Sequence, residues 1–263
     1  MRIVACIKQV PAQADIRIDE QRWTLVRQGV PNRINPHDAE GLETALMLRD
    51  HYGGEVLVIS MGPPQSEEAL REALAMGADR AILVTDRSLA GADTLVTSLV
   101  LARAIERLQW RPDLILCGAR SSDSDTGQVG PQLAEELGIP HVAYVQEVTK
   151  EEEALVVRRS LDRYWETIRV RLPALLTVSR APGPVREISL RSIHQAFKEG
   201  AMERWGIAEL GLDPRLVGHS GSATTVRRIF RPEGHTRTKW VRGGPQEAAN
   251  EILQALVDRH ILD

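Results

Sequence analysis

This chain is poor in the residues that mark several common protein classes. Phe, Trp and Tyr make up only 4% of its 263 residues, too few for the stacking platforms that hold single-stranded nucleic acids. It has two cysteines, Cys6 and Cys117, far apart in sequence and both in strand-like runs. Two such cysteines make neither a disulfide framework nor a zinc spacing, so buried reduced thiols and a reducing compartment are expected. No apolar run approaches the ~20 residues of a membrane span. The apolar run at residues 3–7 is too short for a signal peptide, which makes the cytoplasm the expected location. Positive charge is not in excess either, and a net charge of −3 argues against binding nucleic acid through the overall field.

The familiar chemical fingerprints are missing too. There is no G-x-G-x-x-G after the first strand, no G-x-x-x-x-G-K-[ST], no H-E-x-x-H and no G-x-S-x-G. The seven His are scattered, and His37 alone falls near a candidate site. No nucleophile–base pair stands out, so the sequence reads as a binder rather than an acid–base catalyst.

Apolar residues make up 43% of the chain and charged residues 26%, which suits a globular protein with a sizeable core. Short apolar runs at 3–7, 55–60, 81–84 and 112–118 alternate with helical patterns opening at 36, 66 and 92. That alternation predicts an α/β fold with a parallel sheet. Residues 15–26 read as hairpin material, with Ile16, Ile18, Trp23 and Leu25 alternating. Past Pro140, runs at 142–148, 154–160, 164–171 and 174–178 alternate in the manner of antiparallel additions to the sheet. A short helix is expected at 193–197. From 205 the chain is polar, carries the basic stretch 227–242, and closes with a helix at 245–259. The expected division is a nucleotide-binding α/β domain over 1–204 and a C-terminal arm with its helix over 205–263, packed on a partner subunit.

The richest stretch joins the strand ending at Cys117 and Gly118 to the helix carrying Val129, Leu133 and Leu137. It reads Gly118-Ala119-Arg120-Ser121-Ser122-Asp123-Ser124-Asp125-Thr126-Gly127-Gln128-Val129-Gly130-Pro131. Small polar side chains beside a helix N-terminus suit phosphate, and a capped strand-to-helix connection fits the same residues. Asp123 and Asp125 lack a third acidic partner nearby, which favours turn and capping roles over a metal. Other polar connections leave strand ends near Lys8, at Met61 and Gly62, and around Asp93 and Thr94. In a parallel sheet these converge on one rim.

In order along the chain, Ala5-Cys6-Ile7-Lys8-Gln9-Val10-Pro11, Asn35-Pro36-His37-Asp38, Met61-Gly62-Pro63-Pro64-Gln65, residues 72–79, Asp123-Ser124-Asp125-Thr126-Gly127-Gln128-Val129-Gly130-Pro131 and residues 172–177 resemble the small (beta) subunit of electron-transfer flavoproteins. The resemblance covers nearly the whole chain and is closest to the electron-bifurcating branch. It implies a Rossmann-like sheet of the adenine-nucleotide α-hydrolase type and a heterodimer with an alpha subunit that carries a redox FAD. It also implies a nucleotide at the rim, held around Cys6, Lys8, Asn35, Asp38, Met61, Gly62, Asp93, Thr94 and residues 118 and 123–130. That nucleotide is FAD in bifurcating members and AMP in others. The pattern Asp86-Arg87-Ser88-Leu89-Ala90-Gly91-Ala92-Asp93-Thr94 favours FAD. Departures are His37 for Tyr, Thr85 for Ser, Ser124 for Gly, Gly127 for Ala, Arg120-Ser121-Ser122 before the loop, and Arg163-Tyr164 before Trp165.

The resemblance further places Leu190 where a protruding Leu docks a partner dehydrogenase of the acyl-CoA type; on its own, Leu190 also reads as a strand-end core residue. NADH and a ferredoxin or quinone-linked acceptor are the other expected partners. Rival readings are a nucleotide-hydrolysing or adenylating enzyme on this fold, which would want a glycine-rich loop in place of Lys8-Gln9-Val10-Pro11, and a non-catalytic nucleotide sensor.

Overall fold

The computed structural model of the chain describes residues 1–12, 18–19, 24–25, 31–162, 164–198, 200, 202–227 and 240–262. Its first strands are β1 (Arg2–Cys6), β2 (Gln9–Pro11), β3 (Ile18–Asp19), β4 (Thr24–Leu25), β5 (Asn32–Ile34), β6 (Glu55–Met61), β7 (Arg80–Val84) and β8 (Leu114–Gly118). After them come β9 (His141–Glu151), β10 (Ala154–Leu161), β11 (Tyr164–Arg171), β12 (Ala174–Val178) and β13 (Met202–Trp205). The helices are α1 (Pro36–Tyr52), α2 (Glu67–Met76), α3 (Thr94–Glu106), α4 (Val129–Glu136), α5 (Leu190–Ala196), α6 (Gly218–Gly221) and α7 (Pro245–Asp258).

Nine strands form one sheet in the order β11-β10-β9-β12-β8-β1-β6-β7-β13. From β9 through β12 to β13 every neighbouring pair is parallel. Side chains of β1 alternate between two cores, as a pleated strand requires. Ile3, Ala5 and Ile7 pack with Leu42 and Leu46 of α1 and Leu70 of α2. Val4 and Cys6 pack on the other face with Val100 and Leu101 of α3 and Leu133 of α4. Helices thus cover both faces of the parallel part, and its strands can be apolar almost throughout.

Local chemistry sets the helix ends. Pro36 opens α1 with φ already suited to a helix, and Asp38 adds negative charge to its first turn. Gly77 ends α2 in the left-handed region at φ 119°, where a side chain would be strained. Asp93 caps α3 by accepting the Val96 N–H.

The chain runs from β1 to β6 and β7 on one side, then returns to β8 on the other side of β1. The carboxyl ends of β1 and β8 are therefore the point where the strand order reverses, which is where such sheets bind ligands.

Several expectations need correction. Residues 174–178 are not an antiparallel addition: β12 is parallel to both β8 and β9 and buried along its whole length. The antiparallel part is the β9-β10-β11 meander. The chain divides at 227/228 instead of 204/205, into Met1–Arg227 and Arg228–Asp263. The physical reason is that β13 pairs with β7 at the sheet edge, and Ile207, Leu210 and Val217 are buried in the α3–α4 core. Residues 205–227 lack a core of their own but join one. The short helix begins earlier than expected, at Leu190. In the second unit, α7 buries none of its residues and exposes Ile252, Leu253 and Val257.

Of the expected hairpin at 15–26, β3 and β4 pair antiparallel; Ile16 and Trp23 lie outside the described residues. So do Arg163 and the basic stretch between Arg227 and Trp240. Among the described residues no helix is long and apolar enough to cross a membrane.

Candidate functional site

At the reversal point, one buried carboxylate ties the two diverging strands together. Asp38 Oδ2 accepts the Lys8 N–H at 2.8 Å, and Oδ1 accepts the Gly118 N–H at 3.0 Å. These are the first backbone donors beyond β1 and at the end of β8 that leave the sheet ladder. Burial, opposed by hydrogen bonds from Asn35, Lys8 and Gly118, pushes the Asp38 pKa up to about 7. The packing that brings α1 this close depends on Gly118. A β-carbon there would lie 2.3 Å from Asp38 Oδ1 and 2.6 Å from the His37 carbonyl carbon.

Asn35 makes the second tie. It is the N-cap residue of α1, but its side chain makes no capping bond. Its side-chain amide donates to Arg120 O at 2.9 Å and accepts the Ser122 N–H at 3.0 Å, while its own N–H donates to Lys8 O. The fully buried amide thus imitates a strand neighbour for the loop after β8. Lys8 Nζ reaches Asp123 Oδ1 at 2.7 Å, and the Asp123 side chain is nearly buried. His37 Nδ1 lies 3.2 Å from Ser179 O, and Arg120 reaches from His37 to Asp125 at the outer end of the loop.

Beyond these ties the loop turns twice into the left-handed region, at Asp125 (φ 54°) and Gly127 (φ 64°), and runs into α4. The N–H groups of Gln128, Val129 and Gly130 open that helix and have no partner within it. Gly130 is required by a close approach, since a β-carbon would meet Thr177 Cγ2 at 2.4 Å. The first turn of α3 stands beside the first turn of α4. Thr94 Oγ1 donates to Gln128 Oε1 at 3.1 Å, and the Ser98 hydroxyl donates to Thr94 O and to Val129 O. Two helix N-termini, each carrying the positive end of its macrodipole, therefore face one stretch of rim.

The expected site residues lie at the carboxyl ends of the strands or in the connections that leave them, and they fall into two kinds. Ser124, Thr126 and Gln128 are exposed along the loop, with Thr94, Gly127, Val129 and Gly130 beside them. Asn35, Asp38 and Asp123 are turned inward and hold the loops in place. Met61 ends β6, and Gly62 donates to Val84 O in the adjoining connection. Cys6 and Cys117 are register partners on β1 and β8, both buried. Their thiols lie in the core, so Cys6 can reach a ligand only through its backbone. Contact with Cys6 and burial raise the Cys117 pKa well above the ordinary thiol value. Among the described residues no three acidic, His or Cys side chains gather where a metal could sit.

Three contacts of Asp93 have no local signature in the sequence. Asp93 Oδ2 accepts both the N–H and the hydroxyl of Thr224, at 3.0 and 3.1 Å, and the Asp93 N–H donates to Ser222 Oγ at 2.8 Å. These partners lie about 130 residues downstream, a distance at which no local pattern pairs them.

At a separate surface, Leu190 is 87% exposed at the start of α5, so it is no core residue; Ile193 and Phe197 extend the apolar stripe. The segment before it is anchored by Arg186, which donates to the buried Glu43 through its backbone and its guanidinium. The segment after it is held by Arg71, which donates to Ala196 O at 2.6 Å and stacks over the Phe197 ring.

Comparison with known proteins agrees with this architecture. Residues 22–199 match the electron transfer flavoprotein domain family. The chain is 42% identical over 262 residues to the electron transfer flavoprotein subunit beta of Clostridium acetobutylicum, across the whole of both chains. It is 40% identical over 264 residues to the caffeyl-CoA reductase-Etf complex subunit CarD of Acetobacterium woodii, again end to end. Protein FixA of Sinorhizobium fredii is 40% identical over 267 residues, spanning 97% of this chain and 93% of that one. With a family match over most of its length and full-length relatives of this kind, the chain belongs to the electron transfer flavoprotein family, on its beta-subunit side.

Proposed function

We propose that this chain binds FAD at the rim between β1 and β8. Joined to an alpha subunit carrying a second FAD, it relays electrons between NADH, an acyl-CoA-type dehydrogenase and a ferredoxin or quinone-linked acceptor, with bifurcation of the electron pair. The observation that carries the reading is the meeting of the α3 and α4 N-termini across the Thr94–Gln128 contact. Two adjacent helix ends suit the paired charges of a pyrophosphate. In this reading the N–H groups of Gly127, Gln128, Val129 and Gly130 and the hydroxyls of Ser124, Thr126 and Thr94 hold the phosphates. Asp38, Asn35 and the Lys8–Asp123 pair keep those groups in place. When bound, FAD supplies a ring that exchanges hydride or single electrons, and the protein's part is binding, orientation and electrostatics.

AMP at the same rim, with FAD on the alpha subunit alone, is the second reading. The Arg120 side chain, one of the departures from the bifurcating pattern, is held between His37 and Asp125 at the outer end of the loop and favours it. Counting nucleotides released on denaturing the co-purified heterodimer decides between them. Two FAD and no AMP per heterodimer is the expected result; one FAD with one AMP would overturn the FAD assignment.

The CarD relative is named as part of a caffeyl-CoA reductase complex, which supports an acyl-CoA-type partner here. The exposed stripe led by Leu190 is its proposed docking point. Leu190→Ala should slow electron exchange with that dehydrogenase roughly tenfold, the scale of a central interface anchor, with nucleotide content unchanged. Unaltered stopped-flow kinetics would remove the docking role.

A further inference from the structure

We infer that Asp93 is a positioning residue that couples occupancy of the nucleotide rim to the seating of residues 217–224, the last part of the first unit before the C-terminal unit begins. The inference rests on the reading of the rim as a nucleotide site and adds a control element to it.

The geometry around Asp93 is specific. Oδ1 accepts the Val96 N–H at 3.0 Å and so caps α3. Oδ2 accepts the N–H and hydroxyl of Thr224. Ser222 accepts from the Asp93 N–H and donates to Gly218 O at 2.7 Å. His219 donates its N–H to Ala90 O at 2.9 Å. Val217 is fully buried beneath the segment. Gly218 is obligatory, because its φ is 58° and a β-carbon would strike Ser88 O at 1.9 Å. The segment is thus bolted to the connection that leads into α3, and Asp93 is the charged member of the bolt.

Charge makes the coupling directional. A carboxylate one residue before Thr94 would repel phosphate at the α3 N-terminus unless its charge were spread over donors. With the segment seated, Asp93 has Val96, Ala223 and Thr224 as donors. With the segment released, it keeps Val96 alone, and more of its charge faces the rim. Phosphate binding at that helix end is then weakened. By reciprocity, a bound nucleotide must favour the seated segment by the same factor.

The test uses the co-purified heterodimer, with FAD and AMP as probes. Hydrogen–deuterium exchange of residues 217–224 and nucleotide affinity are measured for the unaltered protein, Thr224→Val and Thr224→Ser. Expected results are slower exchange of the segment when nucleotide is bound, and affinity lowered roughly three- to tenfold in Thr224→Val, the scale of one lost hydrogen bond. Thr224→Ser, which restores the hydroxyl, should restore both. If Thr224→Val speeds exchange of the segment while nucleotide affinity stays as it was, the coupling is wrong and the site reading stands. If the unaltered heterodimer binds neither probe at this subunit, both fall.

Discussion

Asp38→Ala is expected to cost about 2–6 kcal/mol of folding stability and to strip nucleotide from the rim. The estimate follows from the two backbone donors that the carboxylate serves. Without it the part-buried Lys8 and Gly118 N–H groups lose their acceptor at the junction, at about 1–3 kcal/mol each. Urea unfolding of the heterodimer and the nucleotide content of the purified variant measure the two effects. A change under about 0.5 kcal/mol, the range of an ordinary surface substitution, would mean that the strand ends are held by something else.

Acid–base linkage gives this residue a second signature. Its pKa rises from 3.8 to about 7, chiefly because burial penalises the charged form. The folded chain therefore holds this proton more tightly than the unfolded chain between those values. Unfolding free energy falls with pH wherever the folded state binds more protons, so Asp38 contributes a decline in stability from about pH 4 to about pH 7. Asp38→Asn, which cannot ionise, should flatten that decline. Parallel stability–pH curves for the two proteins would show that Asp38 stays ionised throughout.

Gly118→Ala is the second large effect. Its β-carbon would sit 2.3 Å from Asp38 Oδ1, 2.6 Å from the His37 carbonyl carbon and 2.7 Å from the Asp38 nitrogen. Two of these are backbone atoms, which cannot rotate aside. The first turn of α1 must instead withdraw from β8, and Asp38 would lose its grip on both strands. Overpacking of this kind costs about 3 kcal/mol, and the nucleotide should be lost with it. Gly183→Ala is the matched control, since nothing lies within 4 Å of its β-carbon. Calorimetry should show a large drop in melting temperature for the first and almost none for the second. Equal melting temperatures would mean that α1 sits further from β8 than described.

The α/β architecture and the rim were legible in the sequence because they rest on local signals: apolar runs, helix-opening residues and polar turns. Two strands were read less well. Ala174-Leu175-Leu176-Thr177-Val178 stands beside alternating strands, yet its apolar run, broken only by Thr177, is that of a central parallel strand. β13 carries Glu203 and Arg204 in four residues, and it becomes a strand only because the edge of β7 offers partners. At the site, sequence located the polar residues without revealing their direction. Asn35, Asp38, Asp93 and Asp123 have the composition of ligand contacts, but each is engaged by donors elsewhere in the chain. Polar residues look alike in sequence whether they face a phosphate or a backbone amide.

The paired burial of Cys6 and Cys117 bears on how the protein can be studied. They are the two cysteines of the chain, and both are shut inside the sheet. Its surface therefore offers no thiol to maleimide, spin label or fluorophore. A single cysteine introduced at partly exposed Gly183 would be the one reactive handle, close in sequence to the stripe led by Leu190. Arrival of a partner at that stripe could then be followed by an optical or magnetic signal, with the native cysteines left in place.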